Sequence, residues 1–94
     1  MKSMERIVGV YMRYPIFSYD DGTEVTASKP DKNGNIMLYI ERFDHDSDWF
    51  INATVMLPEL SIVSVNGYDS KELAELIEEY SEVKEDIIDY VLEK

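Results

Sequence analysis

The stretch Asp44-His45-Asp46-Ser47-Asp48-Trp49 sets three aspartates at alternate positions beside the chain's only histidine. The chemistry such a pattern would suit is oxygen ligation of a divalent cation. An EF-hand loop begins in the same way, but it needs glycine at its sixth position and a bidentate glutamate at its twelfth. Trp49 and Val55 stand there instead. One imidazole and no thiolate are too few for a transition-metal site. Five polar residues between two apolar runs are what an exposed hairpin turn uses, because Asp and Ser side chains bond their own backbone. The stretch therefore reads as a turn, and neither a metal nor a cofactor is expected. Catalysis has no better support: His45 has no cysteine partner and no serine in an elbow motif. Gly9, Gly22, Gly34 and Gly67 are too scattered to cradle a phosphate. The expectation is a protein that is not an enzyme.

The elements that would carry this turn are punctuated at Pro15, Asp20-Asp21-Gly22, Pro30 to Asn35, Asp44 to Asp48, Pro58 and Asn66-Gly67. The segments between are strand-length. Ile7 to Tyr14 is rich in β-branched and aromatic residues, with Val8, Val10, Met12 and Tyr14 on one face. Thr23 to Ser28 is a weaker candidate. Ile36 to Phe43 puts Ile36, Leu38 and Ile40 on one side, and Trp49 to Leu57 alternates with Trp49, Ile51, Ala53, Val55 and Leu57 inward. Leu60 to Asn66 reads as a fifth strand. After Gly67 the period changes to 3.6: Asp69 is a good N-cap with Glu72 three residues on, a capping-box pattern, and a helix is expected from Ser70 to Glu93. Leu73, Leu76, Ile77, Tyr80, Val83, Ile87, Ile88 and Val91 share its apolar arc. The fold class expected is α+β, an antiparallel sheet of about five strands backed by a long C-terminal helix, with a break near Ser81 as the alternative to a continuous one.

Length adds a constraint on assembly. A 94-residue chain is one domain with a modest core. An unbroken helix from Ser70 to Glu93 would be about 36 Å long against about 19 Å between the outer of five strands. Either it bends near Ser81, or its second half, with Ile87, Ile88 and Val91, packs on another copy. Lys84 inside the apolar arc would mark where sheet contact ends. A homodimer is the expectation.

Formal net charge is -11. Residues 1–66 carry six basic and ten acidic side chains, residues 67–94 three and ten, so the acidity concentrates in the helix. Such a field repels nucleic acid and anionic membrane and favours a basic protein surface. The candidate partner-binding residues are Glu72, Glu75, Glu78, Glu79, Glu82, Glu85, Asp86 and Asp89 on the helix, with Asp44, Asp46 and Asp48 in the turn. Like charges at Glu75/Glu79, Glu78/Glu82, Glu82/Asp86 and Glu85/Asp89 cost an isolated helix about 1–2 kcal/mol together. The 45% hydrophobic content excludes a disordered chain, the absence of cysteine excludes disulfides and suits a reducing cytoplasm, and no run approaches a membrane span.

From Ile36 onward the order of motifs resembles the HicB-like antitoxin domain. An apolar-acidic strand ("IMLYIERF") is followed by an acidic turn and an aromatic-led strand ("DWFINATV"). Then come Pro58-Glu59-Leu60, Gly67 nine positions after the proline, Asp69 as cap and Glu72-Leu73-Ala74 in the helix. The resemblance spans roughly residues 36–85. It implies an antiparallel sheet backed by a helix that covers a small basic RNA-cleaving toxin. Ser61-Ile62-Val63 replaces the family's usual proline-glycine turn, and no DNA-binding segment has a counterpart here, so autorepression is not implied.

The function expected is a stoichiometric inhibitor, an acidic module docking on a basic nucleic-acid-handling protein: a nuclease, toxin or defence effector. Two other readings compete. One is a structural or assembly subunit. The other is a small-molecule-sequestering protein with a pocket between sheet and helix, for which Tyr11, Tyr14, Tyr39 and Trp49 would supply stacking surfaces.

Overall fold

The structure, a computed structural model, describes residues 13–94. Strands β1 (Tyr14–Ser18), β2 (Glu24–Ala27), β3 (Ile36–Asp44), β4 (Trp49–Leu57) and β5 (Ser61–Asn66) precede one helix, α1 (Ser70–Leu92). Each strand pairs antiparallel with its sequence neighbour, giving a five-stranded meander in the order β1-β2-β3-β4-β5. This is the α+β fold that the change of hydrophobic period implies.

Alternation builds the sheet's inner face. Across the β3–β4 ladder Ile36 lies opposite Leu57, Leu38 opposite Val55 and Ile40 opposite Ala53, while Val25 and Ala27 of β2 lie opposite Ile40 and Leu38. None of these eight side chains is more than 1% exposed. What covers them is α1, through Leu73, Tyr80, Ile87 and Val91. These four recur at seven, seven and four residues and so lie along one stripe.

The helix is continuous. At Ser81, where a break is the sequence alternative, the hydroxyl donates to the carbonyl of Glu78 at 2.6 Å and the helical path carries on. Nor does its second half project from the sheet, since Ile87 and Val91 are only 3% and 2% exposed. The helix runs along the strands rather than across them. Glu72 meets Arg42 near the far end of β3, and Lys84 donates to the carbonyl of Pro58, just beyond Leu57, which faces Ile36 at the start of β3. Twelve helical residues rise about 18 Å, and six strand residues span about 20 Å. Strand length, not sheet width, is what the helix has to match, and the nine-residue β3 and β4 match it.

Three further expectations are corrected. Residues 7–12 of the strand expected over Ile7 to Tyr14 lie outside the described residues, and the strand that is described runs through Pro15 instead of stopping there. It is an end strand of the described sheet with a register shift between Pro15 and Phe17, the setting in which a strand tolerates proline. Trp49 has the inward parity but is 71% exposed. It pairs with Asp44 at the tip of the hairpin, two residues beyond Arg42, which already meets the first turn of α1 through Glu72. Finally, the aromatic residues proposed for a shared pocket do not gather. Tyr39 sits on the helix-free face beneath the Arg13 guanidinium, 3.9 Å from its ring centroid, Tyr14 packs at the margin of the core, Trp49 is in solvent, and Tyr11 lies outside the described residues.

Candidate functional site

The aspartate stretch folds as a hairpin turn. Asp44 accepts the backbone N–H of Ser47 at 3.1 Å, and Asp48 takes a left-handed φ of 58°, a conformation that Asp tolerates better than most residues. Asp46 and Asp48 point into solvent, whereas Asp44 turns toward Arg42. Among the described residues no three His, Asp or Glu side chains converge as metal ligands would. His45 packs edge-on against Phe43, and Phe43 against Phe50, so the histidine is a flank of an aromatic cluster.

Arg42 is the residue that sequence reading passes over. Its guanidinium holds Glu72 of α1 through one nitrogen at 3.0 and 3.1 Å and lies 3.8 Å from Asp44 and 3.9 Å from Asp21. The face of Tyr68 is 5.5 Å away. One half-buried cation thus ties the β1–β2 turn, the β3–β4 hairpin and the start of the helix together. Asp69 does cap α1, accepting the N–H of Glu72 at 2.7 Å, but the Glu72 side chain reaches Arg42 instead of closing a capping box. Hydrogen bonds from Thr23, joined by Arg42, hold the Asp21 carboxyl below the usual carboxylate range, and hydrogen bonds from Ser47, again with Arg42, do the same for Asp44.

Of the eleven acidic candidates, then, Glu72 and Asp44 are engaged inside the fold. The others divide between the hairpin tip, with Asp46 and Asp48, and one ridge along the outer face of α1: Glu75, Glu78, Glu79, Glu82, Glu85, Asp86 and Asp89, all exposed, to which Glu93 adds an eighth. Glu79 accepts the Tyr19 hydroxyl at 3.0 Å, and among the described residues none of the eight has an ion pair; all three salt bridges belong to Arg42. Of the two lysines in the helix, Lys84 is turned to Pro58, and Lys71 makes no ion pair with the ridge among the described residues. No basic residue occupies the last turn, where the helix dipole would favour one, and Asp89 sits there instead.

The two flanks of α1 differ. Toward β1 lie Val83, Asp86 and Tyr90, bordering a cleft of about 430 Å³ over Pro15, Ile16 and Phe17. Toward β5 lie Ser70, Ala74 and Ile77, bordering a groove of about 430 Å³ closed by Ile62, Val65 and Tyr68. Comparison with known protein families, with curated proteins and with solved structures finds no match for this chain.

Proposed function

We propose that this chain is an acidic, non-catalytic binding module that docks stoichiometrically on the basic surface of a nucleic-acid-handling protein, with the outer face of α1 as its contact. The observation that carries the reading is the linear charge density of the ridge. Eight carboxylates from Glu75 to Glu93 lie along about 27 Å of helix axis, roughly one charge every 4 Å. One strand of duplex DNA carries about one charge per 3.4 Å. A groove lined with Lys and Arg to receive a phosphate backbone would find a similar row of charges here, on a helix whose ridge makes no ion pair among the described residues. The resemblance of residues 36–85 to HicB-like antitoxin domains supports a toxin nuclease as one such partner, and a defence effector is another of the same chemistry.

Capture from the native host at low and high salt tests this. A basic nuclease or effector complex retained at low salt and released by high salt is the expected result, because exposed charge pairs are screened. A retained partner that is acidic, or whose release ignores salt, would sink the reading. The protein itself should not shift duplex DNA or RNA at physiological salt.

A further inference from the structure

The end strand β5 has a different surface from the rest of the molecule. All six of its residues are exposed, with Ile62 and Val63 at 52% and Val65 at 44%. No described strand pairs beyond it. The register shift opposite Thr54 and Val55 leaves Val63 as an extra residue, so Ile62 and Val65 face Val55 and Ala53 and both point to the helix side. An unbroken alternation would have put them on opposite faces. From Leu60 to Tyr68 there is no charged residue, no proline and no lysine. The neutral run of β4 lies inside the sheet; this one lines its rim. The other end strand, β1, carries Pro15 and a bulge, the devices that protect an edge from pairing.

We propose that β5 is a self-association edge, pairing antiparallel with β5 of a second copy across a two-fold axis. Charge selects this occupant. A basic partner is drawn to carboxylates, and this strip has none. Two copies that each carry -11 repel wherever their acids face one another, and can approach only along a surface cleared of charge. Pairing about a two-fold axis near the middle of the strand brings Ile62 of one copy toward Val65 of the other on the helix side, next to the apolar groove bounded by Ala74 and Ile77. It leaves both acidic ridges outward. A six-residue strand is ~20 Å long, and a contact strip ~15 Å wide would cover roughly 300 Å² per copy. That is below the ~800 Å² per partner of a standard interface, so the dimer is reversible and concentration-dependent.

Sedimentation velocity across the micromolar range, with hydrogen exchange at both ends of it, decides the matter. The wild-type chain should pass from monomer to dimer, and the β5 amides that β4 does not protect should slow in exchange as it does. Ile62→Lys with Val65→Lys should hold the chain monomeric at every concentration while the far-ultraviolet dichroism of the fold persists. A monomer throughout the range overturns the proposal, as does a dimer whose β5 exchange does not change with concentration. If the wild type is monomeric and the double lysine variant loses its hold on a captured partner, the edge belongs to that partner and the self-pairing idea is wrong. Charge reversal on the ridge makes each copy less negative and so favours this self-pairing while it weakens docking on a basic partner, and failure here and failure of the acidic-docking reading are therefore separable.

Discussion

Gly67 shows how tightly one residue can constrain the start of the helix. Its φ is +96°, and a Cβ built on it would collide with Ile51 Cγ2 and lie 2.8 Å from Ile51 Cβ. The close approach is what lets Gly67 bridge to Asn52 and turn the chain from β5 into the Asp69 cap. Gly67→Ala should lower unfolding free energy by about 2–3 kcal/mol, since strain in the left-handed region and overpacking add. Chemical denaturation measures it; a loss under half a kilocalorie would mean the turn relaxes freely. Beside it, the Tyr68 hydroxyl is buried with no hydrogen-bond partner among the described residues. Tyr68→Phe removes a desolvated polar group and keeps the ring under Arg42, so stability should be unchanged or rise by up to about 1 kcal/mol. A clear loss would reveal a partner for that oxygen.

At the scale of the element, α1 joins two roles on opposite sides. Its inner stripe is the lid of the core and its outer ridge is a row of carboxylates with no ion pair among the described residues. Glu78, Glu82 and Glu85 are exposed and, unlike Glu79, make no side-chain hydrogen bond among the described residues, so their charge can be reversed without disturbing packing. Glu78→Lys, Glu82→Lys and Glu85→Lys together should slow association with a captured basic partner by tenfold or more and flatten its salt dependence, with the thermal midpoint held or raised. Stopped-flow kinetics at two ionic strengths reads both effects. Unchanged association rates would make the ridge a solubilising face only.

The whole molecule depends on how the tyrosines are buried. Tyr80 is fully buried at the centre of the helix–sheet contact, stacked on Phe17, and its hydroxyl is 3.3 Å from that of Tyr19. Burial raises the ionisation of Tyr80 far above its ordinary range and raises that of Tyr19 and Tyr68 as well. With folded values above the unfolded one, their contribution to stability is complete below about pH 10 and is lost as pH rises beyond it. Spectrophotometric titration should show Tyr80 ionising only together with loss of the fold, in one cooperative alkaline step. A smooth independent titration of every tyrosine would contradict the packing. Tyr80→Phe should remove most of the steepness of that step.

Local periodicity and turn chemistry determined most of the elements. Alternation at Ile36 to Ile40 and Ile51 to Leu57 and the 3.6 period after Gly67 give the buried faces, because which side a residue faces depends only on its neighbours along the chain. The cap at Asp69, the turn at Asp44 to Asp48 and the acidic outer face of α1 were legible for the same reason. What only the tertiary structure decided is where those faces meet. The helix lies along the strands and so covers Ile87 and Val91 but stops short of Trp49. Arg42 gathers Asp21, Asp44 and Glu72 from the β1–β2 turn, the β3–β4 hairpin and α1, and β5 is a rim that no other described strand covers beyond β4. None of these follows from a period, since each is set by the direction in which one layer crosses another. That direction is fixed by contacts between residues 30 to 61 positions apart, Arg42 with Glu72 and Tyr19 with Tyr80.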